Sequence, residues 1–443
     1  MNSQSKKMEL LGSTSIPKAL LAMGIPTMIG MLVNAFYNLV DAYFVGGLGE
    51  SQMGAISVVY PLGQVVVGLG LLFGNGAASY ISRLLGRGDK ENADKVASTA
   101  LYSSVSVGAV IIIISMVFLH PILKLLGATD SILPYAATYA GIYIVSCIFN
   151  VFNVTMNNIV TSEGAAKTTM CALLTGAVLN IALDPLFIYV FDLGVAGAAI
   201  ATAISQVVST CVYLTYIFRK KSVFHFRVKD CTYTKETMSE IFKIGIPTLV
   251  FQILTSVSIS LINNAAGDYG DSAIAGMGVV TRLISMGSLS VFGFIKGFQP
   301  IAGYSYGAKK FDRLREAIKT SILWSTVFCV IFGVILALFP TAIVSRFTKG
   351  DTEMIRIGAA SLRANGISIM LFGFYTVYSS LFLALGKGRE GFILGACRQG
   401  ICFIPVILLL PMVWGLNGIM YAQPIADVLS AVITVFMAIP LHK

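Results

Sequence analysis

The sequence predicts an all-α membrane protein whose twelve transmembrane helices form two six-helix pseudo-symmetric lobes around a central cavity. Three observations lead to this prediction. Hydrophobic residues make up 56% of the 443 residues and charged residues only 12%. The mean hydropathy is +0.82, and long apolar stretches recur along the whole chain. Because a soluble domain carries about 25% charged residues, the composition excludes an ordinary soluble protein.

Each apolar stretch is long enough to cross a bilayer, which takes roughly 20 residues in a helix. Helices satisfy every backbone polar group inside lipid without closing a barrel, and the strict alternation of barrel strands is absent from this sequence. The predicted spans lie at about 17–45, 52–84, 97–120, 132–160, 169–191, 195–218, 241–267, 272–305, 318–341, 356–385, 392–413 and 417–440.

The distribution of lysine and arginine predicts the orientation. If the N-terminus is cytoplasmic, most of the 31 Lys and Arg residues fall in inward-facing segments. Basic loops stay on the cytoplasmic side, so both termini are expected inside the cell. The formal charge of +10 is therefore a topology signal, and nucleic-acid binding is not predicted. We expect a multi-pass protein of the cell inner (cytoplasmic) membrane.

The chain repeats itself at an offset of 221 residues. The Gly-Ile-Pro-Thr segment at 24–27 recurs at 245–248, and Gly86 corresponds to Gly307. Parallel repeats of this kind are a common transporter plan, with the substrate path between the halves. The predicted parts are a cytoplasmic tail (1–16), an N-lobe (17–218), a cytoplasmic basic linker (219–240) and a C-lobe (241–443).

Three aspartates lie inside predicted spans: Asp41, Asp184 and Asp427. A central aspartate costs about 2.5–3.5 kcal/mol to insert, so each needs a cavity or a partner. Asp41 and Asp184 lie at similar depth in the outer half of their spans. Pro185 removes a backbone donor beside Asp184 and permits a bend there. We predict a functional role for Asp41 and Asp184, and a structural pairing for Asp427.

Polar residues at three-to-four spacing form a stripe on four spans of the N-lobe. The stripes are Asn34, Tyr37, Asn38 and Asp41 in span 1; Asn150, Asn153 and Asn157 in span 4; Asn180 and Asp184 in span 5; and Thr202 and Gln206 in span 6. We infer that the stripes meet. For the asparagines alone, separate hydrogen-bonded seams between helices are an equal alternative.

A pair of carboxylates in an apolar pocket resists joint ionisation. Such a pair can hold a proton, coordinate a cation or attract a cationic ligand, and these occupants compete. Competition couples the inward flow of an ion to the outward flow of a cationic molecule. At the repeat offset, Asp41 corresponds to Ile262 and Asp184 to Pro405. The coupling site is therefore predicted in the N-lobe only.

Segments spread over essentially the whole chain resemble the multidrug and toxic compound extrusion family, in the branch of damage-inducible-type and staphylococcal-type exporters. They are 24–26, 41–46 (Asp-Ala-Tyr-Phe-Val-Gly), 74–83, 162–164, 179–186 (Leu-Asn-Ile-Ala-Leu-Asp-Pro-Leu), 197–202, 299–304 and 424–427. The resemblance implies two six-helix lobes, alternating access, and export of small cationic amphipathic compounds against H⁺ or Na⁺.

The resemblance also implies residue roles. The ion-coupling site would consist of Asp41, Asn180, Asp184 and Thr202. Tyr37, Asn153 and Asn157 match cavity-lining positions, and with Asn34 and Asn38 they make up the predicted substrate-binding set.

No cofactor is expected beyond H⁺ or Na⁺ as the coupling ion, and no metal beyond Na⁺ at that site. One branch of the family carries acids in spans 7 and 10, but here those spans offer only amides: Gln252, Asn263, Asn264 and Asn365. A sodium site in the C-lobe is therefore not predicted. The bilayer and small organic substrates are the expected partners, and we expect a monomer.

Other functions fit the sequence less well. A lipid-linked precursor flippase of the same superfamily would need a cationic cavity, for which Arg282, Lys296 and Arg398 are the candidates. An intramembrane aspartyl protease would pair Tyr-Asp with Gly-x-Gly-Asp, and neither motif surrounds Asp41 or Asp184. No phosphate-binding loop of a nucleotide-driven pump is present, and three scattered histidines do not form a metal-enzyme site. We predict a transporter and no enzyme activity.

Overall fold

The computed structural model describes residues 3–347 and 350–439, and the regular structure in these ranges is helical. Within the same ranges, twelve helices are long and apolar enough to cross a membrane. The predicted all-α membrane fold is therefore confirmed. Outside the described residues lie 1–2, 348–349 and 440–443, which include the start of the predicted tail and the ends of predicted span 12 and of the predicted C-lobe.

From residue 3 onwards, the N-terminal half of the chain holds eight helices. They are α1 (Ser3–Gly12), α2 (Ile16–Gly46), α3 (Glu50–Gly86), α4 (Lys90–Val117), α5 (Leu119–Leu125), α6 (Leu133–Ser162), α7 (Ala166–Pro185) and α8 (Gly194–Phe218). A π-helical turn (Leu186–Val190) continues α7. Asp89 caps α4, because its side chain accepts a hydrogen bond from Asn92 N at 3.1 Å. Spans 1 to 6 are thus α2, α3, α4, α6, α7 with its π turn, and α8.

The described part of the C-terminal half holds nine helices, four of which are pieces of spans 10 and 11. They are α9 (Lys235–Gly267), α10 (Asp271–Gly307), α11 (Phe311–Leu338), α12 (Pro340–Val344), α13 (Thr352–Ser368), α14 (Phe372–Ala384), α15 (Gly388–Ala396), α16 (Phe403–Trp414) and α17 (Leu416–Ala438). A 3₁₀ turn (Ile369–Leu371) joins α13 to α14 within span 10. A π-helical turn (Cys397–Ile401) joins α15 to α16 within span 11. Two more 3₁₀ turns are Val228–Asp230 and Ser345–Phe347.

The segment predicted as a cytoplasmic tail contains α1, which ties the two halves together. Lys7 Nζ donates hydrogen bonds to Glu163 Oε1 at 3.2 Å and to Lys221 O at 2.5 Å. Arg313 of α11 donates to Thr14 O, just after α1, at 2.5 Å. Burial lowers the pKa of Lys7, and the Glu163 carboxylate opposes that shift. Lys7 is therefore held in buried contacts, whereas Ser5, Lys6 and Glu9 of the same helix are exposed.

The lobes pack against each other at the linker side, the end of the bundle that carries residues 219–234. There α2 packs along α10, and α3 packs along α9 and α10. A Cβ at Gly86 would lie 2.1 Å from Tyr304 O, and a Cβ at Gly307 would lie 2.1 Å from Arg83 O. Because these two glycines correspond in the repeat, they form a pseudo-symmetric glycine seam where the backbones of α3 and α10 touch.

We expect Gly86→Ala to lower the free energy of unfolding by about 1–3 kcal/mol, since the added methyl overpacks the glycine seam. The measurement is the thermal unfolding midpoint in detergent micelles. Gly141→Ala is the matched control, because Gly141 is also helical and nothing lies within 4 Å of a Cβ placed there. Equal midpoints for the two variants would contradict close packing at the seam.

Candidate functional site

Two of the aspartates inside spans meet within the N-lobe. Asp41 of α2 and Asp184 of α7 lie where these helices pack along each other, and their carboxyl groups interact directly. Asp184 is fully buried and Asp41 is partly buried. The structure therefore brings together the two acids that the sequence analysis paired.

Two further predicted residues complete the cluster. The side-chain nitrogen of Asn180, one turn before Asp184 on α7, lies 3.5 Å from Asp184 Oδ1. The same nitrogen lies 3.4 Å from Thr202 Oγ1 on α8. All four predicted coupling residues thus form one group, which we call the acid cluster (Asp41, Asn180, Asp184 and Thr202).

The acid cluster holds more acceptor oxygens than donors. Asp41 Oδ1, Asn180 Oδ1 and Asp184 Oδ2 are buried, and none has a hydrogen-bond partner in the part of the chain that the structure describes. Buried polar atoms are normally paired, so these three oxygens fit an electropositive occupant. Carboxylate, amide and hydroxyl oxygens suit hard cations, and a carboxyl pair can also share a proton. The cluster can therefore hold either H⁺ or Na⁺.

The backbone changes its geometry directly beside Asp184. Pro185 has no N–H to continue the helical ladder, and α7 passes into the π-helical turn at Leu186–Val190. Such turns often mark functional sites. The sequence analysis allowed for a bend at Pro185. The structure shows a π-helical turn directly after this proline.

Three tyrosines surround the acid cluster, and two of them were missed. Tyr37 of α2 lies near both carboxyl groups. Tyr139 and Tyr143 of α6 stack with their ring centroids 5.5 Å apart, and both lie near Asp41. They continue the polar stripe of span 4 towards the start of the helix, on the same face as Asn150. Extending the three-to-four spacing upstream would have found them.

Asn34 and Asn38, both predicted to bind substrate, make no hydrogen bond to the acid cluster among the described residues. Both side chains are exposed. Asn38 Nδ2 donates to Asn34 O at 2.8 Å and to Asn34 Oδ1 at 3.2 Å. Their substrate-binding role stays a prediction, on a more exposed stretch of α2 than the acids occupy.

Asn153 belongs to a seam between α6 and α8. Its Nδ2 donates to Gln206 O at 2.9 Å and to Gln206 Oε1 at 2.8 Å, and its Oδ1 accepts from Thr210 Oγ1 at 2.9 Å. These bonds match the helix-seam alternative, and they hold Asn153 away from the acid pair. Its substrate-binding role remains a prediction without a contact to the acid cluster.

Asn157 links the two lobes. Its Nδ2 donates to Tyr213 OH at 3.2 Å within the N-lobe, and its Oδ1 accepts a hydrogen bond from Lys296 Nζ of α10. The structure therefore brings Asn157 to a C-lobe cation rather than to Asp41 and Asp184. No pattern along the chain indicated this contact, since 139 residues separate the two side chains.

Asp427 of α17 sits in a paired cluster of the C-lobe. Its Oδ1 accepts from Arg398 Nε at 2.8 Å and from Gln423 Nε2 at 2.8 Å, and its Oδ2 accepts from Ser368 Oγ at 2.9 Å. The Arg398 guanidinium also lies 4.6 Å from the centre of the Phe372 ring. Asp427 thus has the cation partner and the amide partner that a structural role requires.

Comparisons with known proteins cover both lobes of the chain. The model of the MatE family matches residues 26–186 and 247–409, one stretch in each lobe. The chain is 32% identical over 415 residues to the multidrug export protein MepA of Staphylococcus aureus (strain MSSA476), covering 94% of this chain and 91% of that protein. It is also 32% identical over 419 residues to MepA of Staphylococcus saprophyticus, covering 94% and 92%.

Solved structures show the same fold. An outward-facing conformation of a multidrug resistance MATE family transporter superposes with a TM-score of 0.92 at 27% identity, covering 98% of this chain and 97% of that chain. A MATE structure in complex with MaL6 gives the same TM-score, identity and coverage. The two-lobe arrangement predicted from the repeat is therefore confirmed.

Proposed function

Because this chain belongs to the MatE family of transporters, we propose that it is a secondary active multidrug exporter. It would exchange small cationic amphipathic compounds for H⁺ or Na⁺ by alternating access, with coupling at the acid cluster of the N-lobe. The observation that carries the proposal is the set of three buried oxygens around Asp41 and Asp184 that find no hydrogen-bond partner among the described residues. The names of the MepA relatives support the choice of cargo.

Exchange follows from the negative charge of the acid cluster. Two adjacent carboxyl groups that lie out of water cannot both stay ionised and unoccupied, because burial and mutual repulsion oppose it. An entering ion satisfies the free oxygens, and a cationic cargo molecule in the N-lobe competes for the same charge. Asn180 orients Asp184 and joins it to Thr202. Release of one occupant therefore favours capture of the other.

The proposal includes location and assembly. The distribution of lysine and arginine supports an inner-membrane protein with both termini in the cytoplasm, so the linker side would face the cytoplasm. Each half supplies six spans, and the lobes contact each other within one chain, which supports a monomer. Transport of this kind needs no enzyme activity and no cofactor besides the ion.

The flippase alternative finds less support than the exporter. A pyrophosphate head group would need several free cations in the cavity. Arg282 is exposed on α10, and Arg398 is paired with Asp427 at 2.8 Å. Of these three cations, Lys296 alone is left to bind a pyrophosphate head group in the cavity, so we favour the drug exporter.

The coupling ion can be identified with purified protein in liposomes loaded with a cationic dye. We expect dye efflux under one of two gradients applied separately, a proton gradient or a sodium gradient, and the gradient that drives efflux identifies the coupling ion. Efflux should stop when an ionophore collapses that gradient. The measurement is the rate of dye release under each gradient in turn. Absence of efflux under both gradients would contradict ion-coupled export.

A further inference from the structure

A large cavity lies between the lobes, apart from the acid cluster. Its volume is about 550 Å³ and C-lobe residues form most of its wall, with Tyr60, Asn75 and Asn158 among the N-lobe contributions. Phe251 and Phe292 supply an aromatic wall, with their ring centroids 5.9 Å apart. A cavity of this size and lining suits a small amphipathic molecule.

The charge on this wall is opposite in sign to that of the acid cluster. None of the described residues that line the cavity is acidic, and two are basic, Lys296 and Arg398. Arg398 is neutralised by Asp427, which is buried behind it at 2.8 Å. Lys296 has no carboxylate within 4.0 Å among the described residues, so it gives the cavity its net positive charge.

The Lys296 ammonium has hydrogen-bond donors that the described residues do not use. It lies partly buried on α10, and its one hydrogen bond within the described residues goes to Asn157 Oδ1, a neutral acceptor. An ammonium carries three N–H donors. Gln299 lies one turn further along α10 on the same face and lines the same part of the cavity. A partly desolvated cation with unused donors attracts an anion.

We propose that this cavity is a second binding site, which takes the anionic carboxylate or phosphate head of an amphipathic molecule at Lys296. The apolar part of the molecule lies against Phe251 and Phe292. This site goes beyond the proposed exchange of cationic compounds, because it binds the opposite charge in a different part of the molecule. Binding here can be measured without any ion gradient, so its failure is distinct from a failure of the coupling mechanism.

The test compares 1-pyrenebutyrate with its neutral amide, 1-pyrenebutyramide, because the two differ only in the charge of the head. Dissociation constants are measured by thermophoresis on the full-length protein in phosphatidylcholine nanodiscs. We expect the wild type to bind the acid about tenfold or more tightly than the amide, since hydrogen bonds to charged groups are the stronger ones. Equal affinity for acid and amide in the wild type would overturn the proposal.

Variants assign the preference to Lys296. Lys296→Gln keeps a donor towards Asn157 but removes the charge, so the preference for the acid should fall to within about twofold. Lys296→Arg should keep it. Asn157→Asp places a carboxylate on the ammonium and should abolish the preference even if Lys296→Gln does not fold. Arg282→Gln is the matched control, an exposed cation of α10 off the cavity wall. An unchanged preference in folded Lys296→Gln would overturn the proposal.

A second arm identifies the source of the anionic head. Nanodiscs that contain phosphatidylglycerol offer a lipid phosphate at high local concentration. If this lipid weakens 1-pyrenebutyrate binding in the wild type but not the residual binding in Lys296→Gln, the natural ligand is a lipid head group. If it does not, the site takes a soluble amphiphile. Either result supports an anion site at Lys296.

Discussion

Asp41→Asn and Asp184→Asn should each reduce ion-driven efflux of a cationic dye by about tenfold or more, while protein levels stay unchanged. Asparagine keeps the size of the side chain but can hold neither the proton nor the charge that the exchange needs. Asp184 is fully buried beside Asp41, so each substitution leaves a single carboxyl group where the exchange uses a pair. The measurement is dye release from proteoliposomes, together with resistance of cells to the same dye.

The matched control for this prediction is Asp192→Asn. Asp192 follows the π turn of the same span, is exposed, and has a φ of 52°, a conformation that asparagine adopts as readily as aspartate. It should transport like the wild type. Efflux at the wild-type rate in both Asp41→Asn and Asp184→Asn would remove the acid cluster from the coupling mechanism.

Asp427→Asn should mainly lower the yield of folded protein. The Asp427–Arg398 ion pair is 2.8 Å long, and both side chains are about 5% exposed. Breaking a buried pair from one side leaves an uncompensated charge and costs about 3–5 kcal/mol. The measurements are the yield of monodisperse protein in detergent and its thermal unfolding midpoint.

The double variant Arg398→Met with Asp427→Leu separates charge burial from a role in transport. Because it removes both charges, it should recover much of the stability that Asp427→Asn loses. If Asp427→Asn were obtained at full yield but did not transport, Asp427 would belong to the transport mechanism. The structural role assigned to its bonds with Arg398, Gln423 and Ser368 would then be wrong.

The sequence was sufficient for the membrane fold because hydropathy reports directly on lipid contact. All twelve predicted spans correspond to helices, but several helices extend beyond the apolar stretch. Span 3 was predicted to start at 97, whereas α4 begins at Lys90, where Asp89 provides a cap. Span 7 was predicted to start at 241, whereas α9 begins at Lys235. Capping and helix propensity continue a helix past the edge of the bilayer, where hydropathy gives no signal.

The acid cluster could be predicted because charges inside a membrane are rare and helical spacing groups them by face. The partners of Asn153 and Asn157 could not, because a stripe of amides fits a cavity wall and a helix seam equally well. The contact between Lys296 and Asn157 depends on how the two lobes pack against each other. The spacing of polar residues within a single helix contains no information about that packing. Helix α1 was missed for a related reason: tertiary contacts hold it in place, between Lys7 and Glu163 and between Arg313 and the backbone oxygens of Leu11 and Thr14.

The glycine seam bears on how easily the lobes can come apart. At Gly86 and Gly307 the main chains of α3 and α10 touch with no side chain between them. Separating the two helices there therefore does not require interdigitated side chains to move past each other. Glycine also has no rotamers to freeze or release. The contact between α3 and α10 at this point therefore depends on van der Waals attraction, which acts over a short range and is lost when the helices separate slightly. Such a contact suits an interface between lobes that separates and re-forms in each transport cycle by thermal motion.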